Sequence, residues 1–144
     1  MWCEMKRIYY TFLMQELQDF KDQGENIEDV KYIPDFFKLL SDMLDKDEVD
    51  KDARLLINAA LGYFVSPDDV LPDDVYGPKG YIDDVFVCTY VIQKLYPNYL
   101  RLMKQLWNVD VDLKEAVETS HNHCRLYLEE QNLVERIINY CGLD

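Results

Sequence analysis

Residues 66–85 read SPDDVLPDDVYGPKGYIDDV and place six aspartates and three prolines in twenty positions. Carboxylates at this density can hold a hard cation, because Mg²⁺ and Ca²⁺ take oxygen ligands and offset the repulsion that would otherwise raise the pKa values of crowded acids. If the segment folds back between two helices, Asp69, Asp73, Asp83 and Asp84 can converge into such a site, although no EF-hand spacing is present. A Mg²⁺ ion held there could activate water for phosphoester hydrolysis. The same residues also have the grammar of helix boundaries. Ser66 before Pro67 has the order of an N-cap and a first-turn proline, with Asp68 and Asp69 in a first turn where the helix dipole favours carboxylates. Pro72 with Asp73 and Asp74 repeats that order. GPKG, bounded by Gly77 and Gly80, is a turn, and Gly80 would cap the next helix with Asp83 and Asp84 in its opening turn. At exposed positions each such carboxylate is worth about 0.3–1 kcal/mol. Cation site and helix scaffolding both stay open on these residues alone.

Other chemistry is thinner. His121 and His123 lie two apart, and on a helix that spacing turns them about 200° from each other, so they cannot share a metal. Glu118 with His121 matches the E-x-x-H step of di-iron bundles, but such a site needs a second copy of the motif and this chain has 2 histidines. Cys3, Cys88, Cys124 and Cys141 contain no CxxC pair and read as reduced thiols, three of them on helix stripes, in a cytoplasmic protein. No P-loop, nucleophile elbow, Rossmann glycine pattern or HExxH occurs, and no basic clamp for a substrate phosphate is evident. Tyr9, Tyr10, Tyr76, Tyr81 and Tyr99 could anchor a partner if exposed, or sit half buried in a bundle with wet hydroxyls.

The elements that must position these groups are helices throughout, since apolar residues recur at helical spacing and no alternating strand interrupts them. The spacing predicts a first helix to about residue 22, with Trp2, Met5, Tyr9, Phe12, Leu13, Leu17 and Phe20 on its apolar face and Gly24 as C-cap. A second helix follows Pro34 through Leu44, and DKDEVDKD reads as a solvated turn. ARLLINAALGYF is apolar nearly all round, which predicts a central buried helix in which Gly62 allows close packing. YIDDVFVCTYVIQKLY predicts a second buried helix, although its β-branched residues would also suit a strand, and Pro97 is expected to begin a separate shorter one. Leu113, Val117, Ser120, Cys124, Tyr127, Gln131, Val134, Ile138 and Cys141 recur in four-three spacing, predicting one long helix or two nearly collinear ones after an Asp112–Glu115 capping box. The fold class is all-α: residues 1–144 form a single compact bundle of about six helices, with a structured Asp/Pro-rich loop between two buried helices and neither linker nor repeat.

The segment ALGYFVSPDDVLPDDVYGPKGYIDDVFV resembles the YkvA-like domain of unknown function, whose core reads as an apolar helix, Ser-Pro-x-Asp-φ-φ-Pro-Asp, a turn, Gly-φ-φ-Asp-Asp and a second apolar helix. Ser66, Pro67, Asp69, Pro72, Asp73, Gly80, Asp83 and Asp84 match, and the resemblance covers about residues 56–95. It implies a helical domain and brings no established reaction. Many relatives carry apolar residues where Asp68 and Asp74 stand, and some look like membrane hairpins. This version is more polar and its turn is one residue longer, so membrane attachment is not carried over.

Composition bounds the partners. With 28 Asp and Glu against 15 Lys and Arg the formal charge is −13, which repels phosphate backbones and favours a basic protein partner over nucleic acid. A chain of 144 residues can bury about two thirds of its unfolded surface without disulfides. No apolar run approaches the roughly 18 residues that a membrane helix needs, and the N-terminus shows no cleavable leader pattern. The sequence therefore predicts a soluble, non-enzymatic interaction or regulatory module without a resident cofactor. The alternative is a divalent-cation protein, or a Mg²⁺-dependent hydrolase, built on the aspartates.

Overall fold

The computed structural model describes residues 4–65 and 77–143. Six α-helices, α1 (Glu4–Asp22), α2 (Ile33–Met43), α3 (Lys51–Val65), α4 (Ile82–Leu106), α5 (Leu113–Glu130) and α6 (Val134–Cys141), pack together, with a 3-10 turn at Gly77–Tyr81 leading into α4. No strand occurs among the described residues, so the β-branched run Val85 to Val91 is helical. Residues 66–76 of the Asp/Pro segment, with Ser66, Pro67, Asp69, Pro72, Asp73 and Tyr76, lie outside the described residues.

The helix ends follow from local chemistry. Gly24 adopts φ +78°, and there the N–H groups of Gly24 and Glu25 donate to the carbonyls of Lys21 and Phe20 at 3.0 and 2.9 Å. This is the Schellman closure, in which a left-handed residue turns the chain back onto its last free carbonyls. Gly142 at φ +69° ends α6 in the same way. Asn132 at φ +59° does so for α5, with Leu133 N–H reaching the carbonyl of Leu128 at 2.9 Å. That closure breaks the four-three stripe: α5 and α6 are separate helices, and beyond Cys124 the buried positions are Leu128, Leu133, Ile137 and Leu143, while Gln131 is exposed. Asp112 caps α5 as expected, accepting from Glu115 N–H at 3.2 Å.

DKDEVDKD is more ordered than a solvated turn requires. Val49 is buried, and Asp50 Oδ1 accepts from Ala53 N–H at 2.9 Å to cap α3. The Arg54 guanidinium donates to the carbonyls of Leu44, Lys46 and Val49 at 2.7, 2.7 and 3.0 Å, tying the end of α2 to the start of α3.

α4 is the central helix, packed on α2, α3, α5 and α6. It does not stop at Pro97. The proline is exposed, and Leu95 on one side with Leu102 and Met103 on the other are buried. A proline inside a helix costs about 3 kcal/mol, whereas each buried large aliphatic side chain contributes about 1.5–3 kcal/mol, so packing on both sides of Pro97 carries the helix through it. α3, by contrast, is not surrounded. Leu55, Asn58 and Gly62 are exposed, and a Cβ built on Gly62 would meet nothing within 4 Å, so this glycine serves no close approach among the described residues. On α1 the buried side chains are Leu13 and Leu17, whereas Met5 and Phe12 from the expected core stripe point to solvent.

Candidate functional site

Two places concentrate side chains of interest. The first is the opening turn of α4. Asp83 and Asp84, expected as exposed helix-dipole carboxylates, are instead 0% and 6% exposed. Gly77 at φ +69° takes a backbone shape that L side chains rarely adopt. The GPKG stretch then winds as the 3-10 turn, with Gly80 inside it, and Tyr81 rather than Gly80 sits at the α4 N-cap. Tyr81 fixes this entry by donating to Glu16 Oε1 on α1 at 2.8 Å, and burial, then Glu16, pushes its phenol pKa far up.

Asp83 meets α3. The Tyr63 hydroxyl donates to Asp83 Oδ2 at 2.5 Å, with both residues buried. Tyr140 of α6 closes edge-on against Tyr63 at 5.9 Å between centroids. Three thiols feel the charge of the Asp83 and Asp84 carboxylates. Burial pushes Cys88 well above its ordinary value, with Asp84 and Cys141 adding to it. Burial and then the charges of Asp83 and Asp84 push Cys141 up to about 11. Cys124 is raised by burial, then by Asp29 and Asp83. All three are protonated near neutral pH, which leaves them poor nucleophiles.

One turn further along α4, Thr89 lies 3.0 Å from the carbonyl oxygens of Val85 and Phe86 and 2.9 Å from His121 Nδ1. The Thr89 hydroxyl donates back to a helix carbonyl and pairs with the imidazole Nδ1, so the side chain joins α4 to α5. The imidazole stacks on Phe86 at 5.2 Å, and burial, with Arg125 second, holds its pKa below the usual histidine range. His123 points elsewhere, to Asp29 at 3.0 Å, and Glu118 is exposed. The E-x-x-H pair therefore builds no shared centre.

Of the four candidate metal ligands, Asp83 and Asp84 stand together in the first turn of α4, while Asp69 and Asp73 lie outside the described residues. Among the described residues no three His, Cys, Asp or Glu side chains are grouped so as to hold a metal ion. Within the described fold the cluster fastens the start of α4 to α1 through Tyr81 and to α3 through Tyr63.

The second place is an apolar groove of about 410 Å³, with Met5, Lys6 and Tyr9 of α1 on one wall, Asn58, Leu61 and Gly62 of α3 on the other, and Phe37 and Ser41 of α2 at its floor. The α1 and α3 backbones do not come within 8 Å, Cα to Cα. Tyr9 bridges them, donating to the Phe64 carbonyl at 3.0 Å. Beside the groove Met5, Ile8 and Phe12 are 74%, 57% and 48% exposed, and Leu55 on α3 is 60% exposed. Sequence reasoning missed this face because it placed Met5 and Phe12 in the core. Ile8, an apolar residue off that stripe, was the available signal. Tyr9, Tyr10, Tyr81 and Tyr99 are half buried, and the Tyr99 hydroxyl accepts from Asp50 N–H at 3.0 Å, so the described tyrosines brace the bundle.

An all-α bundle clasped by a buried Tyr–Asp pair at the entry to its central helix is the class that the structure defines. Residues 53–90 match the family described as protein of unknown function (DUF1232). The chain is also 31% identical over 123 residues, 85% of its own length and 83% of the other's, to a protein called "Uncharacterized protein ORF9" from Methanothermobacter thermautotrophicus. The chain belongs to this DUF1232 family, the one that its Ser66-to-Asp84 pattern resembles. No solved structure matches it. No helix among the described residues is long and apolar enough to cross a membrane.

Proposed function

We propose that the domain is a non-enzymatic protein-interaction module, a clasped helical platform that offers one apolar face on an otherwise acidic body. The observation that carries this reading is the exposed stripe Met5, Ile8 and Phe12 beside the groove between α1 and α3. Contiguous exposed apolar side chains mark contact surfaces more often than singly scattered ones do. The formal charge of −13 steers basic partners toward the rest of the surface and repels nucleic acid. The test is a photoreactive side chain placed at Ile8 and, for comparison, at the exposed Leu126 of α5. The expected result is protein adducts in cells from position 8 and few from position 126. Equal labelling at both positions would sink the reading.

Burial of Asp83 and Asp84 favours a second reading, in which they bind Mg²⁺ or Ca²⁺ together with Asp69 and Asp73. Chelator-treated protein titrated with Mg²⁺, Ca²⁺ and Mn²⁺ should then gain about 2.7 kcal/mol at an ion concentration of 100 times Kd, and Asp83→Asn should lose that gain. Such a response would make phosphoester hydrolysis the reaction to screen. A midpoint that moves no more than general screening of the −13 charge explains would leave the aspartates as scaffolding.

A further inference from the structure

We draw no further inference here: the strongest candidate, the apolar groove between α1 and α3 with the buried Ser41 on its floor, belongs to the contact face already described, and nothing in the structure shows what covers it.

Discussion

Replacing Tyr63 by Phe removes one oxygen and leaves the ring, so it isolates the hydroxyl that donates to Asp83 Oδ2 at 2.5 Å. Both residues are almost wholly buried, Tyr63 at 3% and Asp83 at 0% exposure, so water cannot readily take the place of the lost donor. Hydrogen bonds to charged groups contribute about 1.5–3 kcal/mol, and a buried acceptor deprived of its donor costs a similar amount. Tyr63→Phe should therefore destabilise by about 1.5–3 kcal/mol, which for a chain of this size lowers Tm by about 5–12 °C. Urea unfolding followed by circular dichroism should show the midpoint fall at unchanged slope. The companion Asp83→Asn completes a double-mutant cycle, in which the combined change should fall short of the sum of the single ones by about 1 kcal/mol or more. A loss below about 0.5 kcal/mol for Tyr63→Phe, or additive single changes, would refute the idea that this bond clasps α3 to α4.

Further outcomes follow from neighbouring geometry. Arg54→Ala removes three donors to the carbonyls of Leu44, Lys46 and Val49 and should cost about 1.5–3 kcal/mol in urea unfolding, with Arg54→Lys recovering only part because an ammonium lacks the planar fork. His121 has a lowered pKa in the folded chain through burial and then Arg125. Its contribution to stability is therefore complete above the unfolded value of about 6.5 and is lost as pH falls from there toward the folded pKa; the Tm difference between wild type and His121→Gln should shrink across that window. Asn132→Ala at φ +59° should cost about 1–2 kcal/mol, and Asn132→Gly should be near neutral, in thermal unfolding. Alkylation at mildly alkaline pH followed by mass spectrometry should modify half-buried Cys141, held up to about 11, before the fully buried Cys88 and Cys124.

The all-α class, the six helices and the cap at Gly24 were legible because they depend on local periodicity and on residues with special backbone freedom. Two readings failed for tertiary reasons and one for a local one. Pro97 is a sound local stop signal, but Leu95, Leu102 and Met103 are buried on either side of it, and that packing is invisible in a window of the sequence. Two helices in place of one long one were among the expectations for the last segment, but the position of the break was not, because asparagine enters the left-handed region less often than glycine and Asn132 lay inside an apparently continuous stripe. Asp83 and Asp84 were read as dipole partners at an exposed helix start, a reading that holds only while the first turn faces water. Their burial depends on Tyr63 and on where α3 lies, which no spacing rule encodes. The four-aspartate cation site cannot be assembled from the described residues alone, since Asp69 and Asp73 fall outside them.

The family match and the apolar face divide the molecule in an informative way. Residues 53–90 span most of α3, the aspartate segment, the 3-10 turn and the first turns of α4, so they contain both ends of the Tyr63–Asp83 bond and also Cys88 and Thr89. The matched stretch is thus largely core machinery: it sets how α3 and α4 meet. Met5, Ile8 and Phe12 lie on α1, outside it, although Leu55, Asn58 and Gly62 lie inside. A face assembled half from the matched segment and half from a helix beyond it can keep its α3 half while its α1 half changes. Contact specificity should then reside in α1. Exchanging residues 4–12 for the aligned stretch of a relative would change what the face accepts while leaving the Tyr63–Asp83 clasp, and hence the unfolding midpoint, nearly where it was.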